Sequence, residues 1–141
     1  MSERKRVLIV DDDPDFAAGI RAILDTDYDT VMVHNPKDGW EALQKDRYDL
    51  LCLDIMMGRG AEGVMLARKM GSDPVLREIP VLIITGIREQ IAYLFPGQAV
   101  HPHFVAVDEL VEKPVEPGLL LEKVQGLIET AEARKKQQKQ K

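Results

Sequence analysis

The sequence predicts an α/β domain built on a five-stranded parallel sheet with helices on both faces. Two observations carry this. Five short apolar runs of strand length recur along the 141 residues, and segments with helical spacing of apolar residues lie between them. The runs are apolar throughout rather than alternating, which is the pattern of strands buried on both sides.

The elements follow in order. Val7–Val10 is the first strand, and it ends in three consecutive carboxylates, Asp11, Asp12 and Asp13. Asp13 and Pro14 read as N-cap and first position of a helix. Phe16, Ile20, Ile23 and Leu24 share one face of it. Thr30–Val33 is the second strand. Asn35 and Pro36 open the second helix, which turns Trp40 and Leu43 inward. Leu50–Leu53 is the third strand, ending at Asp54. Val64, Leu66, Ala67 and Met70 form the stripe of the third helix. Pro80 precedes the fourth strand, Val81–Ile84, which ends in Thr85 and Gly86. The fifth strand lies just before Lys113. Pro114 and Pro117 follow it and lead into the last helix, with Leu119, Leu120, Val124, Leu127 and Ile128 on one side and Glu and Lys opposite. Residues 1–133 are expected as one domain, and residues 134–141 as a basic, disordered tail.

Composition narrows the class. Hydrophobic residues make up 45% of the chain and charged residues 30%, enough for one core under a well-solvated surface. No stretch approaches the roughly 20 apolar residues of a membrane span. The basic start lacks the apolar region of a signal peptide, because the first apolar run stops at Asp11. A cytoplasmic location is the expectation. Cys52 is the sole cysteine, so no intrachain disulfide can form, and it reads as a small buried hydrophobe. The net charge of −5 is unevenly spread. Arg4–Arg6 and Arg134–Lys141 hold eight of the nineteen basic residues, and Glu3 is the one acidic residue outside the body. Residues 7–133 keep eleven basic against twenty-three acidic. Such a body disfavours nucleic acid lying across it.

The polar strand ends carry the functional signal. Asp11 and Asp12 close the first strand, Asp54 the third, Thr85 and Gly86 the fourth, and Lys113 the fifth. Singly, each has a structural explanation: a cap cluster, a turn, a surface lysine before proline. Together they mark the carboxyl edge of the sheet, where open α/β sheets bind ligands. Converging carboxylates without a cation would force one to keep its proton. A hard divalent cation with oxygen ligands relieves this, and Mg²⁺ retains waters and accepts phosphoryl oxygens. Lys113 adds a second positive charge and Thr85 a hydroxyl donor, a set suited to phosphoryl transfer onto a carboxylate.

The stretches "VLIVDDDP", "DLLCLDIMM", "PVLIITG" and "EKP", in that order, resemble the receiver domain of two-component response regulators, from Val7 to about Ile128. The resemblance implies a flavodoxin-like, doubly wound sheet of order 2-1-3-4-5. It implies Asp54 as phospho-acceptor, supplied by a histidine kinase, a histidine phosphotransfer protein or a small acyl phosphate. It implies Mg²⁺ held by Asp11, Asp12, Asp54 and the backbone carbonyl of Met56, with Asp11 acting largely through water. Thr85, with Gly86 beside it, and Lys113 would contact the phosphoryl group. The Lys113–Pro114 bond is expected to be cis. The domain would catalyse only its own phosphorylation and dephosphorylation, and would signal through a target protein on the face of the fourth helix, fifth strand and fifth helix, without direct DNA binding. A homodimer is one arrangement the resemblance allows.

Four departures stand out. Gly58 sits where the family often has Pro. Leu110 occupies the switch position, three before the lysine, where the family has an aromatic. The Thr85–Lys113 stretch is longer than usual, with an insertion over Leu94–Val107. Met56 and Ile87 replace residues that commonly orient the hydrolytic water, so a long-lived aspartyl phosphate is expected. Phe95 and Phe104 in the insertion form either an apolar patch or loop packing. His34 reads as a strand-end residue, and His101 and His103 lack a third ligand for a metal.

Two other function classes compete. A haloacid-dehalogenase-like phosphatase would use Asp11 as nucleophile, but Asp15 stands where that family wants Thr or Val. A receiver-like binding module that works without phosphorylation is the other. An EF-hand is excluded, because Phe16 and Ala22 occupy its Gly and Glu positions.

Overall fold

A computed structural model describes residues 4–54, 62–85 and 109–139. Its elements run β1 (Arg6–Val10), α1 (Pro14–Leu24), β2 (Asp29–Val33), α2 (Pro36–Lys45), β3 (Leu50–Asp54), α3 (Glu62–Gly71), a 3-10 turn (Leu76–Glu78), β4 (Val81–Thr85), β5 (Glu109–Glu112) and α4 (Pro117–Lys139). Met56, Gly58, Gly86, Ile87 and the insertion Leu94–Val107, with the fourth helix expected there, lie outside the described residues. The helix labelled α4 is the fifth expected from the sequence.

All strand pairs are parallel, and the order is β2-β1-β3-β4-β5. This is the doubly wound, flavodoxin-like arrangement. Period-two alternation sends neighbouring strand residues to opposite faces. Leu8, Val10, Leu51, Leu53, Val81 and Ile83 join Leu43, Leu66 and Met70 beneath α2 and α3. Val7, Ile9, Leu50, Cys52, Leu82, Ile84 and Val111 join Ile20, Leu24, Leu120, Val124 and Ile128 beneath α1 and α4. Each of the three central strands thus reads as an unbroken apolar run because both of its faces are covered. The edge strand β2 is only half-buried.

Local chemistry fixes the helix starts. The Asp13 carboxylate accepts from the Asp15 and Phe16 amides, and Pro14 follows at the first helical position. Asn35 accepts from the Asp38 amide. The last helix departs from expectation twice. Leu119 is 38% exposed, while its neighbour Leu120 is fully buried. The helix also continues through Arg134–Lys139, so this part of the basic run is helical rather than a disordered tail. Ala131 still packs inward, which carries the helix past the sheet before the charges begin. No described helix is long and apolar enough to cross a membrane.

Candidate functional site

Strand alternation places the site. Asp11, Asp54 and Lys113 follow Ile9, Cys52 and Val111 by two residues each, so all three share the parity of the face beneath α1 and α4. Register then brings them together. Ile9 pairs with Cys52 and Val10 with Leu53; one further step sets Asp11 beside Asp54. Ile84 pairs with both Asp54 and Val111, two residues before Lys113.

The outcome is a compact acidic cluster. One carboxylate oxygen from each of Asp11, Asp12 and Asp54 lies within 4.8 Å of the others. Asp11 and Asp54 are only 3% and 5% exposed, whereas Asp12 faces solvent. Burying two carboxylates side by side is costly unless a cation answers them. Lys113 answers both: Nζ lies 3.3 Å from Asp11 Oδ2 and 3.4 Å from Asp54 Oδ2. It offsets one of three negative charges, and the remainder suits a divalent cation with all-oxygen ligation. The donor set fits Mg²⁺ on that ground.

Hydrogen bonds brace the turn after β1. Asp11 Oδ1 accepts from the Asp13 amide at 2.9 Å, and Asp13 caps α1. Asp11 thus uses one oxygen to hold the turn and the other to hold Lys113. The Asp11 amide donates to the Val33 carbonyl, tying the turn to β2. His34 follows directly, its Nδ1 3.1 Å from the Asp11 carbonyl oxygen. Thr85 is the last residue of β4, opposite Glu112. The Lys113–Pro114 bond is cis. Leu110 packs, half-buried, on the apolar layer beneath α2 and α3, the face away from Lys113.

Two neighbours of the site were not read from the sequence. Phe16 was assigned to the α1 core stripe, yet its ring lies under the Lys113 ammonium, 4.1 Å from centroid to Nζ. Its place in the first turn of a helix starting at the carboxyl edge was the available signal. His34 was read only as a strand end, and its bond to the Asp11 carbonyl depends on a register that one sequence does not reveal.

Comparison with known proteins agrees with this geometry. Residues 7–125 match the response regulator receiver domain. The chain is 26% identical over 135 residues to response regulator Rre1 of Synechocystis, covering 94% of this chain and 55% of that protein. It is 30% identical over 125 residues to response regulator PleD of Caulobacter vibrioides, covering 86% of this chain and 26% of that protein. It therefore spans about half of one relative and a quarter of the other. Among solved structures, the signal receiver domain of a signal transduction histidine kinase from Syntrophus aciditrophicus superimposes with a TM-score of 0.74 at 27% identity, over 89% of this chain and 91% of that one. Sheet order, strand-end chemistry and a match over most of the length converge on one conclusion: the chain belongs to the response regulator receiver domain family.

Proposed function

We propose that the domain accepts a phosphoryl group on Asp54 from a histidine kinase or histidine phosphotransfer protein, and signals by a changed protein-binding surface. The observation that carries this is the convergence of Asp11, Asp12, Asp54 and Lys113 at one strand edge. An Asp54 carboxylate oxygen attacks phosphorus as the bond from phosphorus to the donor breaks, releasing neutral histidine or, from acetyl phosphate, acetate. Lys113 holds Asp54 in place beforehand and meets the developing charge on the phosphoryl oxygens afterwards. Asp11, Asp12 and Asp54, with the Met56 carbonyl, would hold Mg²⁺, which supplies counter-charge to those oxygens when bound. Thr85 would donate its hydroxyl to the phosphorylated form, and Gly86 follows it in sequence. With Leu110 at the switch position, no aromatic ring there can rotate inward, so output would run through backbone and helix shifts around β5 and α4.

Intact mass after incubation with acetyl phosphate and Mg²⁺, wild type beside Asp54→Asn, tests this. A phosphate-sized gain that requires Mg²⁺ and disappears in the variant is expected. No gain in folded wild-type protein would favour a binding module that works without phosphorylation, or an acceptor that takes phosphate only from its own kinase. A gain surviving the substitution would move the nucleophile to Asp11.

A further inference from the structure

Lys113 is held on a third side by a residue that the two carboxylates do not explain. Phe16 occupies the third position of α1, where its amide donates to Asp13 Oδ1 at 3.2 Å. The ring it presents carries the Lys113 ammonium over its face, 4.1 Å from the centroid. From Asp11 to Phe16 the chain forms one bonded unit: Asp11 binds the Asp13 amide, Asp13 caps the helix, and the cap fixes the backbone of Phe16. The same short stretch therefore supplies both a carboxylate and an aromatic face to one lysine.

We propose that Phe16 is a positioning residue for Lys113, its ring holding the ammonium at the carboxylate edge while leaving it free to swing from Asp11 toward an incoming phosphoryl group. This rests on Asp54 being the phospho-acceptor. A lysine side chain has four rotatable bonds and loses considerable entropy when held in one place. Lys113 remains 22% exposed, so water competes for it. A carboxylate fixes Nζ in direction as well as distance. An aromatic face is attractive over a broad area, so Nζ can slide across it without losing the interaction. Two anions and one π face thus restrain the ammonium yet permit a short move. Phe16 also packs half-buried against the apolar layer beneath α1 and α4. The test must separate that packing from the contact with Lys113.

Phe16→Leu keeps apolar bulk and removes the π face; Phe16→Tyr keeps both. The rate of acetyl-phosphate-dependent mass gain is compared across wild type and both variants, each confirmed folded by urea titration. The leucine variant is expected to phosphorylate about fivefold more slowly, the fold-change carried by a contact of about 1 kcal/mol. The tyrosine variant is expected at the wild-type rate. In the unphosphorylated proteins, the ε-methylene protons of Lys113, assigned by their absence in Lys113→Met, should show an upfield ring-current shift in wild type and Phe16→Tyr and lose it in Phe16→Leu. A leucine variant at the wild-type rate, or a tyrosine variant as slow as leucine, overturns the proposal while leaving Asp54 as acceptor. No mass gain in wild type from acetyl phosphate or from a phosphorylated histidine kinase removes the acceptor reading, and this inference falls with it.

Discussion

Lys113 and Asp11 stand 102 positions apart in sequence and 3.3 Å apart in space, Nζ to Oδ2. The same ammonium reaches Asp54 at 3.4 Å. One side chain thus ties the end of β5 to the ends of β1 and β3, and answers two buried anions at once. Its removal leaves those carboxylates facing each other without it. Lys113→Met is expected to lose about 2 kcal/mol of stability in EDTA, the scale of a buried charged group deprived of its partner. On the proposed role of these carboxylates as Mg²⁺ ligands, Mg²⁺ should restore part of that loss and raise the urea midpoint more in the variant than in wild type. Urea titrations of both proteins, with EDTA and with Mg²⁺, measure this. Equal midpoints in EDTA would show that the lysine contributes nothing to holding the carboxylates.

A second ion pair offers a contrast, because it lies at the surface. Lys5, just before β1, pairs with Glu132 on α4, their side chains 44% and 40% exposed. The hydrogen bond between them holds the Glu132 carboxyl below its ordinary value and the Lys5 ammonium above its own. A depressed carboxyl stabilises the fold above its unfolded pKa, and that contribution disappears as pH falls through the folded value. A raised amine stabilises below its unfolded pKa, and the contribution is lost as pH climbs through the folded value. The pair therefore acts across the neutral range and fades at both extremes. Solvent screening limits it to a few tenths of a kcal/mol. Lys5→Met should lower the urea midpoint slightly at pH 7, and the difference should vanish at pH 3 or in 1 M salt. A deficit that persisted at pH 3 would mean that Lys5 acts by packing instead.

The central strands were legible in the sequence because both of their faces are buried, which leaves unbroken apolar runs. The caps at Asp13 and Asn35 were legible because capping is local chemistry. Asp11, Asp54 and Lys113 could be named as strand-end residues, but their meeting depends on register, which becomes visible only when β1, β3, β4 and β5 are set side by side. Phe16 was hidden by its own hydrophobicity: a core stripe explains an apolar helix residue equally well. The helical continuation of α4 through Arg134–Lys139 was hidden by charge, since a basic run has no apolar stripe to mark a helix.

Cys52 lies on β3, two residues before Asp54, and is 1% exposed. Burial pushes its thiol up to about 12. At pH 8 the thiolate fraction is then on the order of 10⁻⁴, and the sulfur is sterically shielded as well. Native protein should leave a thiol-reactive dye untouched over an hour, whereas protein in 8 M urea should react at once. Labelling over a urea series would then trace global unfolding of the central sheet, in step with far-UV circular dichroism. Rapid labelling of native protein would show that β3 opens locally, and would place that opening next to Asp54 and the acidic cluster.

Two helical glycines predict opposite outcomes for the same substitution. At Gly126, on the exposed side of α4, an added Cβ meets nothing within 4 Å. At Gly39, buried on α2, it would lie 3.1 Å from Val10 Cγ2 and 3.2 Å from Leu66 Cδ2. Alanine improves the intrinsic helix preference at either position by up to about 1 kcal/mol. Gly126→Ala should therefore gain roughly 0.5–1 kcal/mol. At Gly39 the gain is opposed by overpacking, which typically costs about 1–3 kcal/mol. Val10 is fully buried and Leu66 is 2% exposed, so neither has solvent to yield into. Gly39→Ala should be net destabilising in a urea titration. The strain would also reach the site, because Val10 is the residue before Asp11: displacing β1 outward moves that carboxylate from Lys113. On the proposed acceptor role of Asp54, the variant is expected to take up phosphate from acetyl phosphate more slowly than wild type even where fully folded, while Gly126→Ala keeps the wild-type rate. A Gly39→Ala protein as stable and as active as wild type would show that α2 can move outward without disturbing the strand beneath it.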